Sequence, residues 1–81
     1  MGSGNISRRY DTIEKAIEAK AELDAKIAED KDSVILPSTI PEGLELWTRL
    51  QGPRLYLHYR NLPWESSYPM TLFKNFEKRR S

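Results

Sequence analysis

The apolar residues of this chain change their spacing near residue 44, and that change constrains the fold most. From Thr12 to Lys31 there is no Gly or Pro, and Ala, Glu and Lys dominate, as in a helix. From Leu44 the pattern alternates: Leu44, Leu46, Thr48 and Leu50 share one side of the chain, and Leu55, Leu57 and Tyr59 continue it. A helical period followed by a period of two is satisfied by a helix laid on the leucine face of a sheet.

Asp11-Thr12-Ile13-Glu14 has the spacing of a capping box, in which Asp11 accepts from an exposed backbone N–H and Glu14 reaches back. Asp11/Lys15 and Glu22/Lys26 add acid-before-base pairs one turn apart. The apolar stripe reads Ile13, Ala16, Ile17, Leu23, Ile27 and Ala28, with Lys20 and Asp24 inside it. A lysine at a seam position can set register or oligomeric state. Lys20 and Asp24 are therefore candidate contacts for a protein partner or a second copy, although the repeat is too short for a coiled coil. Val34-Ile35-Leu36 suits docking at the edge of the core, and the two prolines of Pro37–Gly43 make that connection extended.

Gln51-Gly52-Pro53 marks a turn, so Leu44–Leu50 and Arg54–Arg60 form a hairpin. Tyr68–Phe73 is expected to be a third strand, placed at an edge by Pro69. Residues 1–9 are expected to be a flexible leader, residues 10–76 one domain and residues 77–81 a basic tail. The expected class is α+β, in the order α-β-β-β: one long N-terminal helix on a small antiparallel sheet of about three strands.

Composition removes several kinds of chemistry. With no cysteine there is no disulfide, thiolate ligand or thiol nucleophile. The lone histidine, His58, cannot build a His-rich metal site, and no G-x-S-x-G elbow, Walker loop or G-x-G-x-x-G is present. No catalysis, cofactor, metal or small-molecule substrate is expected. No apolar run approaches the roughly 18–20 residues of a membrane span, so a cytoplasmic protein without membrane contact is expected. The net charge of +1 conceals a division: residues Met1–Glu45 sum to −4 and Leu46–Ser81 to +5. Such a division either draws the two halves together or offers the second half to an anionic partner.

If the leucines pack on the helix, Trp47, Arg49, Arg54, Tyr56, His58 and Arg60 share the opposite face of the hairpin. Guanidinium groups bind phosphate or base edges in bidentate fashion, and aromatic rings stack on bases. Nucleic acid, DNA or RNA, is therefore the expected partner, with Lys78, Arg79 and Arg80 adding non-specific attraction. The competing reading treats the same residues as a solvated sheet face stabilised by its own cross-strand pairs. A third treats the chain as a protein-interaction module, such as a small phage-type regulator or inhibitor, or as a homodimer, acting through Lys20, Asp24 and Trp64. Trp64 itself reads first as an anchor closing the core, and as a hot-spot residue if exposed.

Two short resemblances bear on these readings. Arg9-Tyr10-Asp11-Thr12-Ile13-Glu14-Lys15-Ala16-Ile17-Glu18-Ala19 resembles the strand-to-helix segment of APETALA-type DNA-binding domains, which implies a three-stranded sheet placing Arg and Trp in a major groove. That family puts its sheet before the helix, whereas here the hairpin follows it. Leu46–Arg49, Arg54–Tyr59 and Leu72–Arg79 are similar in rhythm to strands of RelE-type messenger-RNA-cleaving toxins, which use scattered Arg and Lys rather than a triad, so the resemblance implies a ribonuclease as a remote alternative. The first strand and second helix of that family have no counterpart in this reading.

Overall fold

The computed structural model describes residues 2–31, 41 and 43–80. The elements are β1 (Gly2–Arg9), α1 (Ile13–Lys31), β2 (Glu45–Gln51), β3 (Arg54–Leu62) and α2 (Tyr68–Arg80). The strands form one antiparallel sheet in the order β1-β3-β2. The α+β class is as expected, with α1 packed on a three-stranded antiparallel sheet, but the chain order is β-α-β-β-α. The Val34–Leu36 run and most of the Pro37–Gly43 connection lie outside the described residues.

Two segments depart from expectation. Residues 2–9 are an edge strand on β3, where a leader outside the fold was expected. The segment Tyr68–Phe73 begins a helix where the third strand was expected, and this helix continues through most of the basic tail. The physical reason lies in the first turn of α2. The N–H of Thr71 donates to the Ser67 carbonyl (2.9 Å), and Pro69 sits where no N–H is required of it. Pro69, Leu72, Phe73 and Phe76 are then buried at helical spacing.

Helix α1 starts one residue later than the capping box implied. Thr12 is the cap, its Oγ1 accepting from the Lys15 N–H (3.1 Å). The helix is also rotated relative to the expected stripe. Ala16, Ala19, Leu23 and Ile27 are buried, whereas Ile13, Ile17 and Ala28 are exposed. The two alanines let the helix backbone approach the sheet, and turning them inward carries Ile13 and Ile17 to the flank.

Strand β3 is central, and its Leu55 and Leu57 are fully buried beneath Leu23 and Ile27 of α1 and Leu72, Phe73 and Phe76 of α2. Ile6, Leu46 and Leu50 flank them on the outer strands. The hairpin turn places Gly52 at φ 59°, a conformation open to glycine at no steric cost. The Pro53 carbonyl accepts from the Tyr10 N–H (2.8 Å), tying the end of β1 to that turn. Between Gly2↔Leu62 and Gly4↔Tyr59 the register slips by one residue, a bulge centred on Asn61 at φ 64°. The slip inverts the alternation, so Leu62 is buried on the side already used by Leu55 and Leu57.

Polar links hold the helices in place. The Tyr68 hydroxyl donates to Asp30 Oδ2 (2.7 Å), joining the start of α2 to the end of α1. Arg8 Nη1 donates to Glu77 Oε2 (2.6 Å), joining β1 to the far end of α2. Burial first, then the hydrogen bond and charge of Asp30, push the Tyr68 hydroxyl well above the ordinary tyrosine range.

Two stability measurements test this packing. In urea denaturation, Leu23→Ala should cost about 3 kcal/mol and Ile17→Ala less than about 0.5 kcal/mol; equal losses would restore the expected stripe. Tyr68→Phe should cost about 1 kcal/mol at pH 7. Because the folded hydroxyl titrates above the unfolded value of roughly 10, that stabilisation is complete below pH 10 and is lost as the pH rises further. The difference between wild type and Tyr68→Phe should therefore narrow in alkaline melts.

Candidate functional site

Both helices pack on the leucine face, which leaves the other face of the sheet uncovered by any described element. Cross-strand pairing arranges this face in four rows. Glu45 faces Arg60; Asn5, His58 and Trp47 form the next row; Ser7, Tyr56 and Arg49 the third; Arg9, Arg54 and Gln51 the last, beside the hairpin turn. All six hairpin residues singled out in the sequence are brought together here. Asn5, Ser7 and Arg9 join them from β1, and they were missed because that segment was read as a leader. Their signal in the sequence was the alternation of Ile6 with polar neighbours. A Cβ at Gly4 would come 2.9 Å from the Tyr59 hydroxyl, so a ring packs where a side chain would stand.

The middle of the face is a pre-ordered aromatic and cationic cluster. The Trp47 and His58 rings are stacked at 5.4 Å with 9° between planes, and Tyr56 and His58 at 5.8 Å with 18°. The Arg49 guanidinium lies 4.3 Å from the centroid of Tyr56. Arg49 Nε also donates to His58 Nε2 (3.2 Å). Trp47 ends the row at the β2 edge and is 45% exposed. Tyr56 and His58 are half-buried.

The arginines differ in what holds them. Arg60 is paired with Glu45, the one carboxylate on the face. Arg49 is occupied by Tyr56, His58 and Gln51. Arg54 Nη1 donates to Ser7 Oγ (3.2 Å), and Arg9 has no partner among the described residues. Among the described residues the face therefore carries four guanidinium groups against a single carboxylate.

Other predicted residues lie elsewhere. Lys78 is exposed on α2, and Arg79 and Arg80 close the same helix, in the layer on the opposite side of the sheet. Lys20 Nζ donates to Asp24 (2.9 Å), and Asp24 also accepts from the Thr48 hydroxyl. These two residues thus dock α1 on β2. Trp64 is 84% exposed in the turn after β3. It does not close the core, because the bulge at Asn61 has already turned Leu62 inward to do so.

A cleft of about 380 Å³ opens between the end of β1, the start of α1 and Glu77. Its charges are mixed: Arg8 is bound to Glu77, and Lys15 lies 3.6 Å from Asp11. Among the described residues no group of three His, Cys, Asp or Glu side chains is placed to hold a metal ion. No described helix is long and apolar enough to cross a membrane.

Comparison with protein-family models, with curated proteins and with solved structures finds no match to this chain.

A double-mutant cycle on Arg49→Ala and Tyr56→Ala should give a coupling of about 0.5–1 kcal/mol in thermal melts. Zero coupling would mean that the guanidinium does not rest on the ring in solution.

Proposed function

We propose that this protein binds nucleic acid through the open face of its sheet, as a non-catalytic cytoplasmic binding protein. The observation that carries the reading is the excess of guanidinium groups, four against one carboxylate, on a flat face shared with an exposed tryptophan. Phosphate neutralisation supplies most non-specific affinity, and arginine forks serve both phosphates and base edges. Arg9 and Arg54, which have no carboxylate among the described residues, contact phosphates, while Arg60 is held by Glu45. Trp47, at the end of the ring stack, offers its free surface to a base. The Arg49–His58–Tyr56 cluster is a rigid floor, so little side-chain freedom is lost on binding.

The charge and stacking on this face fit the reading without help from Lys78, Arg79 and Arg80, which sit on the other layer. One specific observation favours a second reading: Trp64, in the turn after β3, is large, apolar and 84% exposed, as is a residue that anchors a protein partner.

A fluorescence titration of duplex and single-stranded DNA and RNA at two salt concentrations tests the proposal. Affinity should fall steeply with salt, and Arg54→Ala should lower the slope of log K against log salt by about 1, with a smaller effect from Arg60→Ala because Glu45 already neutralises that side chain. Absence of binding at low salt would reject the sheet face as a nucleic-acid surface and leave the Trp64 surface as the rival.

A further inference from the structure

The row at the turn end of the sheet contains an arrangement that folding alone does not favour. Arg9 and Arg54 are direct cross-strand partners in the antiparallel β1–β3 pair, so both side chains rise from the same face. Like charges placed directly opposite destabilise a sheet. The third member of the row, Gln51, is neutral, and neither arginine has a carboxylate partner among the described residues. Elsewhere in the fold the acidic residues find cations: Glu45 takes Arg60, Glu77 takes Arg8 and Asp30 takes Lys26. On this face Arg60 is neutralised by Glu45 and Arg49 rests on Tyr56 and His58, whereas Arg9 and Arg54 stand opposite each other with no carboxylate among the described residues.

We propose that Arg9 and Arg54 form a clamp for a phosphomonoester dianion, the terminal phosphate of a nucleic-acid strand lying on the sheet face. The inference deepens the nucleic-acid reading and rests on it for the source of the phosphate. Charge matching selects the terminal group. Two unneutralised guanidinium forks answer a group of charge close to −2 at pH 7, whereas an internal phosphodiester carries a single charge. Position agrees with this assignment. The row is the last on the sheet, and the neighbouring cleft, which Arg9 also lines, offers a strand no further unpaired cation, because its Arg8 and Lys15 are paired with Glu77 and Asp11. Ser7 accepts from the Arg54 guanidinium through its hydroxyl, which orients that fork, while Arg9 has no partner among the described residues.

The test is a titration of the full chain with four probes at low salt: single-stranded oligonucleotides of one sequence bearing a 5′-phosphate, a 3′-phosphate or hydroxyls at both ends, and inorganic phosphate. One phosphorylated end should bind about tenfold tighter than the hydroxyl form. Arg9→Gln should abolish that preference without lowering the melting temperature, since it removes a like-charge contact. Arg9→Lys should keep part of it, and Lys74→Gln, on the outer side of α2, should keep all of it. The preference should also shrink below about pH 6, where the monoester dianion takes up a proton and becomes a monoanion. If phosphorylated and hydroxyl ends bind equally, the clamp is wrong and the nucleic-acid reading stands. If the preference survives in both Arg9→Gln and Arg54→Gln, the site has been misplaced. If no oligonucleotide binds but inorganic phosphate does so in an Arg9-dependent way, the clamp stands and the nucleic-acid reading fails. If nothing binds, both fail.

Discussion

The two leucines at the centre of β3 are the contact on which the other elements depend. Leu55 and Leu57 are inaccessible to solvent, and Leu23 and Ile27 of α1 and Phe73 and Phe76 of α2 close over them. Burying a leucine of this kind is worth roughly 1.5–3 kcal/mol, a large share of what so small a chain has available. Both helices are drawn to one side of the sheet to reach this pair. Their shared demand leaves the other side uncovered by any described element, so the arginine face follows from the economy of a small core.

The polar contacts then set orientation. Asp24 receives both Lys20 and Thr48, fixing how α1 sits across β2. Asp30 and Arg8 hold opposite ends of α2. These links are partly exposed, so each adds modestly to stability. Their effect is to choose one arrangement of two short amphipathic helices over others of similar apolar contact. On the bare face the Arg49, His58 and Tyr56 side chains do the corresponding work among themselves.

The hairpin and its two faces were legible from residues 44–60, because a period of two interrupted by Gly52-Pro53 has few other solutions. The six hairpin residues of the candidate site were legible for the same reason. The strand β1 was hidden by its composition: Gly2, Ser3 and Gly4 read as a linker, and nothing local shows that the Tyr59 ring fills the space over Gly4. Arg9 was lost with it. Helix α2 was legible and misread, since Ser67 followed by Pro69 is a helix start and Leu72, Phe73 and Phe76 keep a helical period. Proline was weighed as a strand-edge residue when its place in the first turn of a helix was equally open. The rotation of α1 was not legible, because it turns on which alanines lie nearest the sheet, and the local pattern favours the isoleucines.

The position of β3 between β1 and β2 has a consequence for how the molecule assembles. The β2–β3 hairpin closes across two residues and can form within microseconds. Strand β1 pairs with the same β3 only after α1, β2 and the connection between them have been brought round, and closing that length of chain is entropically slower. The first strand made is therefore the last to dock. Until it does, β3 shows one open edge, and half of the Arg9–Arg54 pair is missing. The arginine face is complete only in the finished fold, and an incompletely folded chain presents the hairpin without its β1 residues.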